Sequence, residues 1–167
     1  IRDRNKFFDA KIATVFRDKN EEFIPRSSGI NGKDTNIFGS ISNNLSDTLN
    51  ISYNFILDND FNTLEYNSLN TSINYKNLKT SFNFIEEDGA IGDTNTIENK
   101  TSIRLNDENY LTFNTRRNRK IDLTEYYNLV YEYKNDCLIA GIKYNKSYYE
   151  DRDLKPTENL LFSITLT

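Results

Sequence analysis

Histidine, tryptophan and methionine are absent from this 167-residue chain, and cysteine occurs once. Without histidine, no Ser-His or Cys-His catalytic pair can be assembled. Neither a G-x-S-x-G turn nor a phosphate-binding glycine loop occurs. A single cysteine with no histidine offers no zinc-type ligand set. Cys137 cannot close a disulfide within the chain. It reads either as a small turn residue or as half of a bond to a partner outside this segment. Long apolar runs are missing too. The longest falls far short of the ~18 residues that a membrane helix needs, so a helical membrane protein is excluded. A membrane β-barrel is not, because its strands carry apolar residues only at alternate positions. The two prolines, Pro25 and Pro156, fall in expected loops, where no ladder N–H is lost. Net charge is -4 with 21 scattered basic residues, which excludes a general nucleic-acid surface.

Against these absences stand 11 Tyr, 11 Phe and 25 Asn. Mean hydropathy is only -0.72 and the apolar fraction 37%. A chain that is polar on average yet rich in aromatics is not typical of disorder, which goes with few aromatics. Its apolar residues recur with period two. Leu49, Ile51, Tyr53, Phe55 and Leu57 alternate with Asn50, Ser52 and Asn54, so a strand here has one apolar and one small polar face. Tyr127, Leu129, Tyr131 and Tyr133 alternate with Asn128, Glu132 and Lys134 in the same way. No helical period is sustained over three turns. The pattern predicts ten strands, at about 5–17, 35–43, 46–58, 61–76, 77–86, 93–106, 109–119, 124–135, 137–150 and 158–167. The phase slips within 61–76, which predicts a β-bulge near Ser68.

Most of these strands are ~10 residues or longer, as a tilted membrane strand requires; globular strands usually have about five or six. Short links at Asn43–Asp47, Lys76–Leu78, Asn106–Asn109 and Asn135–Cys137 alternate with longer ones at Asp18–Thr35, Glu86–Asp93, Arg119–Thr124 and Glu150–Thr157. Only the Asp58–Asp60 link is short where parity asks for a long one. Short turns alternating with long loops suit an up-and-down membrane barrel. Tyr126, Tyr127, Tyr148 and Tyr149 fall at strand ends, where an aromatic girdle would sit. The expected fold is therefore all-β, an antiparallel transmembrane β-barrel segment of about ten up-and-down strands. A soluble β-sandwich or solenoid, with the aromatic face as its core, has the same periodicity and remains the alternative.

From Leu123 the sequence reads LTEYYNLVYEYKNDCLIAGIKYNKSYYEDRDLKP, then TENLLFSITLT. A Tyr-rich strand, an Asp-Cys turn, an apolar strand, Tyr-Tyr, a charged loop, a proline and a final strand follow one another. This order resembles the C-terminus of the LptD family of lipopolysaccharide-assembly proteins, also called the organic solvent tolerance protein family, in its α-proteobacterial form. The specific part covers about 45 residues; LDNDFNTLEYNSLN and FNTRRNRK are similar more loosely. The resemblance implies a non-enzymatic transporter without cofactors, which delivers lipopolysaccharide into the outer leaflet of the Gram-negative outer membrane. It implies a plug lipoprotein inside the barrel and periplasmic bridge proteins as partners. Residues 1–167 would be the C-terminal portion of the barrel domain, with an export signal, a jellyroll domain and the first strands preceding Ile1 and a few residues following Thr167. The strand carrying Leu160, Phe162, Ile164 and Leu166 would form one side of a lateral gate. Relatives hold two adjacent cysteines in the turn before the last two strands, each bonded to the N-terminal part. Here the first position is Asp136, which leaves Cys137 for at most one interdomain disulfide. A porin or other passive channel, or a soluble β-rich binding module, is the competing function.

Two charged groups invite ligands. Arg116, Arg117, Arg119 and Lys120, with Arg152 on a later loop, could meet lipid A phosphates, because guanidinium groups bind phosphate bidentately. The plain alternative is a solvated rim whose charges pair with Asp122, Glu125, Glu150, Asp151 and Asp153. Glu86, Glu87 and Asp88 offer oxygens of the kind divalent cations take, yet without EF-hand spacing a solvated loop fits them better. Glu98, Lys100 and Arg104 share a polar face with Ser102 and read as lining.

Overall fold

A computed structural model describes residues 7–25, 28–44, 46–89, 91–148 and 156–166. Ten strands follow one another: β1 (Phe7–Ala13), β2 (Ile37–Asn44), β3 (Leu49–Leu57), β4 (Leu64–Tyr75), β5 (Leu78–Glu87), β6 (Asn95–Arg104), β7 (Asn109–Asn118), β8 (Leu123–Lys134), β9 (Leu138–Ser147) and β10 (Thr157–Leu166). They form one antiparallel sheet in chain order, with β1 and β10 at the ends of that order. The fold is thus all-β and up-and-down, as the alternation predicts. By contacts the chain divides into two compact units, Ile1–Thr71 with Asn83–Asn95 and Ser72–Phe82 with Thr96–Thr167.

The first strand is shorter than its sequence pattern. Ladder pairing between β1 and β2 runs from Phe7↔Asn44 to Ala13↔Phe38 and then stops. Past Ala13 the Thr35 side chain replaces the ladder. The Val15 N–H donates to Thr35 Oγ1 at 2.9 Å, and that hydroxyl donates to the Val15 carbonyl at 2.6 Å. Only an isolated bridge, Phe16↔Asp34, continues the pairing.

Two of the asparagines close turns. Asn135 Oδ1 accepts the N–H groups of Cys137 and Leu138, at 3.0 and 2.8 Å. Asn106 Oδ1 does the same for Glu108 and Asn109. Such side-chain acceptors stand in for backbone in tight turns. Asp58 closes the β3–β4 link: its carboxylate accepts from Asn62 and Thr63, while Phe61 takes a positive φ of 61°. That link therefore spans residues 58–63, and the apparent exception at Asp58–Asp60 disappears. The β7–β8 link is the opposite case. It spans only 119–122, because Asp122 at φ 55° turns the chain tightly.

Near Ser68 the burial pattern loses its alternation. Asn67 and Ser68 are both buried, then Leu69 and Asn70 are both exposed. This is the position at which the sequence phase slips. A register shift occurs where the sequence gives no warning. Between Arg116 and Arg117 of β7 the partners jump from Tyr126 to Thr124, leaving Glu125 as an extra residue on β8.

Candidate functional site

Strand register sorts the second unit into two unlike faces. One row runs Ile103–Leu111–Tyr131–Ile142–Phe162, and the next Phe113–Leu129–Tyr144–Leu160. The opposite face carries Lys100–Asn114–Asn128–Asn145–Asn159, a polar row across five strands. In the first unit Ile41–Tyr53 and Gly39–Phe55 lie on the apolar side, with Ser40–Asn54 and Ser42–Ser52 on the other. The Phe55 ring covers Gly39 so closely that a Cβ there would lie 2.1 Å from it.

Few of the described residues are buried, and those with side chains are polar. No apolar side chain among the described residues is buried. Besides Gly39, the buried residues are Thr35, Asn67, Ser68 and Thr96, with exposures of 3–8%. Polar groups are enclosed by one another. Glu86 accepts hydrogen bonds from Asn67 at 2.9 Å and Asn95 at 2.7 Å. Ser102 meets Thr112 at 3.0 Å, and Thr80 meets Thr101 at 2.7 Å. Within the second unit a cleft of about 530 Å³ opens on the polar face, between Lys79, Ser102, Arg104, Tyr110, Thr112 and Glu132.

At the long-loop end, the basic group predicted from sequence does not form one patch. Arg116 and Arg117 are successive residues of β7 and leave on opposite faces. Arg116 Nε lies 2.9 Å from Glu125 Oε2, at an angle that misses a hydrogen bond. It also neighbours Glu98 and Tyr126 across the ladder. Arg117 pairs with Asp122. Arg119 and Lys120 are exposed in the 119–122 turn, where the Lys120 N–H donates to Asn118 Oδ1 at 3.0 Å. Arg152 lies outside the described residues, as do Glu150, Asp151 and Asp153. The Arg117–Asp122 pair is exposed, and such a pair is worth ~0–1 kcal/mol.

The aromatic residues at this end also divide. Phe113, Tyr127 and Tyr148 form a cluster on the apolar side, with ring centroids 6.3 and 6.1 Å apart. Tyr126 faces the polar side instead, where its hydroxyl donates to Glu98 at 2.8 Å. Tyr149 lies outside the described residues.

At the short-turn end, Cys137 is a free, exposed thiol in the β8–β9 turn. Leu160, Phe162, Ile164 and Leu166 lie on β10, which pairs with β9 along its whole length. Exposure rises along that row from 56% at Leu160 through 71% at Phe162 and 75% at Ile164 to 82% at Leu166. Such a bare apolar edge invites pairing with another strand. The acidic group separates: Glu86 is engaged by the two asparagines, and Asp88 accepts from the Gly89 N–H at 2.8 Å. No cluster of three or more metal-ligating side chains occurs among the described residues.

Sequence reading placed Lys100, Arg104 and Ser102 on one face but missed the cleft. Its other walls come from the β4–β5 turn, β5, β7 and β8, and only register brings those segments together. The one available signal was the alternation of Lys79 with Ser81 and of Lys100 with Ser102 and Arg104. Among known proteins, no family model and no curated protein matches this chain.

Proposed function

We propose that this chain is part of an outer-membrane β-barrel that carries lipopolysaccharide to the outer leaflet, with β10 as one side of its lateral gate. The observation that carries the membrane half is the reversed burial: the shielded residues are polar, and rows of Leu, Ile, Phe and Tyr lie open. A sheet of this kind is stable where its apolar face meets lipid and its backbone groups are all paired. The polar face then lines a wet lumen. The Phe113–Tyr127–Tyr148 cluster sits at the outer interface, and Cys137 lies in a periplasmic turn. The transport half is supported by the resemblance of residues 123–167 to lipopolysaccharide-assembly proteins. Its partners on this reading are lipopolysaccharide, a plug lipoprotein and periplasmic bridge proteins; the work is transport rather than catalysis.

Depletion of the protein in its host tests the transport half. New lipopolysaccharide should accumulate at the inner membrane while surface lipopolysaccharide falls. Undiminished surface delivery, with ion conductance by the reconstituted protein, would make it a passive channel instead. The rim is tested separately. Neutralising Arg116, Arg117, Arg119 and Lys120 together should slow delivery if they meet lipid A phosphate, and unchanged delivery leaves them as solvated charges.

A further inference from the structure

Asn31 is the one asparagine in the chain that glycine follows. It lies in the 14–36 link between β1 and β2, whose two arms run side by side. Beyond the Val15–Thr35 bonds, the Arg17 N–H donates to the Lys33 carbonyl at 3.2 Å and the Glu21 N–H to the Asn31 carbonyl at 2.9 Å. The Lys33 N–H donates to Asn20 Oδ1 at 3.0 Å. The main chain at Asn31 is thus held, but its side chain is not. Among the described residues, neither the Asn31 side-chain amide nor the Gly32 N–H makes a hydrogen bond. Both residues line an open cleft of about 230 Å³, with Asp34 and Glu65 among its other walls. The turn asparagines differ: Asn106 and Asn135 each commit Oδ1 to two backbone N–H groups.

An uncommitted amide beside an uncommitted N–H can close on itself. The Gly32 nitrogen attacks Asn31 Cγ, the bond from Cγ to Nδ2 breaks, and ammonia leaves with the proton of the Gly32 N–H. Glycine, lacking a Cβ, puts the least obstruction in the way of that approach. Water then opens the five-membered imide at either carbonyl. One product is aspartate. The other is isoaspartate, in which the main chain runs through Cγ and the former Asn31 carbonyl becomes part of a free carboxylate.

We propose that Asn31 is a site of intramolecular deamidation, and that its isoaspartate product uncouples the two arms of the link. The added main-chain carbon falls between the Glu21–Asn31 and Arg17–Lys33 bonds, so the arms cannot keep both in register. Either product also sets a new negative charge in a cleft walled by two carboxylates, and like charges there repel. The inference is independent of what the proposed barrel carries.

The test is incubation of the full-length protein in detergent micelles at mildly alkaline pH, followed by tryptic mass spectrometry. Peptide 27–33 should gain about 1 Da, the change from amide to acid, and split into aspartate and isoaspartate forms. Asn106 and Asn135 should convert about tenfold more slowly, because their Oδ1 atoms are hydrogen-bonded. Conversion at Asn31 no faster than at Asn135 would overturn the site. Native trypsin then reads the arms. Cleavage after the exposed Lys19 should be about fivefold faster in aged than in fresh protein, since loosened segments open more often. Unchanged cleavage would overturn the uncoupling. Asn31→Asp carries the charge without the extra carbon, so it should be cut more slowly than aged protein. Equal rates would overturn the part assigned to the isoaspartate linkage. Should that variant fail to fold, the first two measurements, both on the wild-type protein, still decide.

Discussion

Arginine at position 129 separates lipid from water on the apolar face. Leu129 lies at the middle of β8, in the row with Phe113, Tyr144 and Leu160, and is 41% exposed. If that exposure were to water, Leu129→Arg would exchange one surface residue for another and change stability by no more than about 0.5 kcal/mol. If it is to lipid, arginine at mid-membrane costs about 2–4 kcal/mol. The cost must also depend on depth. Tyr133 is on the same face, four residues nearer the short turn. At ~3.4 Å per residue and a tilt of ~40°, it sits about 10 Å closer to the interface. Tyr133→Arg should therefore lose at most about 1 kcal/mol from membrane depth. Asn128→Arg faces the polar side and should cost about as little as a surface change. The assay is reversible guanidinium unfolding of the full-length protein from phospholipid vesicles. Equal penalties at 129 and 133 would refute a lipid-facing sheet and favour a protein core of uniform depth. A negligible penalty at 129 would refute any covering of that face.

Three further outcomes follow from single contacts. Gly39→Ala places a Cβ against the Phe55 ring, so it should destabilise by about 1–3 kcal/mol; Phe55→Leu should relieve most of that loss in a double-mutant unfolding experiment. Thr35→Ala removes both hydrogen bonds to Val15, which is exposed enough for water to replace them in part, for a loss of about 0.5–1.5 kcal/mol in the same assay; Thr35→Ser should retain most of the stability. The reduced Cys137 thiol is exposed, so an impermeant maleimide should label it at once in permeabilised cells and not in intact ones. Labelling from outside would invert the proposed orientation.

Strand identity was legible because period-two alternation is local: the sequence pattern marks Leu49–Leu57 and Leu138–Ser147 to within a few residues. What tertiary partners decide was not legible. Thr35, distant in sequence, ends β1 four residues before its pattern does. The extra residue at Glu125 breaks register without breaking hydrophobic phase, so no residue type announces it. The basic rim looked like one cluster because Arg116 and Arg117 are neighbours in sequence. Their opposite faces, and their separate pairing with Glu125 and Asp122, depend on strand geometry. The cleft shows the converse, since Lys79, Arg104 and Glu132 are far apart in sequence and meet through the ladder.

The account turns on what touches the apolar face, and a nitroxide scan reads that directly. With Cys137 replaced by serine, single spin labels are placed from 127 to 132 along β8 in the vesicle-bound protein. Collision with oxygen, which concentrates in lipid, should peak at 127, 129 and 131. Collision with a water-soluble nickel chelate should peak at 128, 130 and 132. Nickel accessibility at 129 and 131 equal to that at 128 and 130 would contradict a membrane-facing sheet.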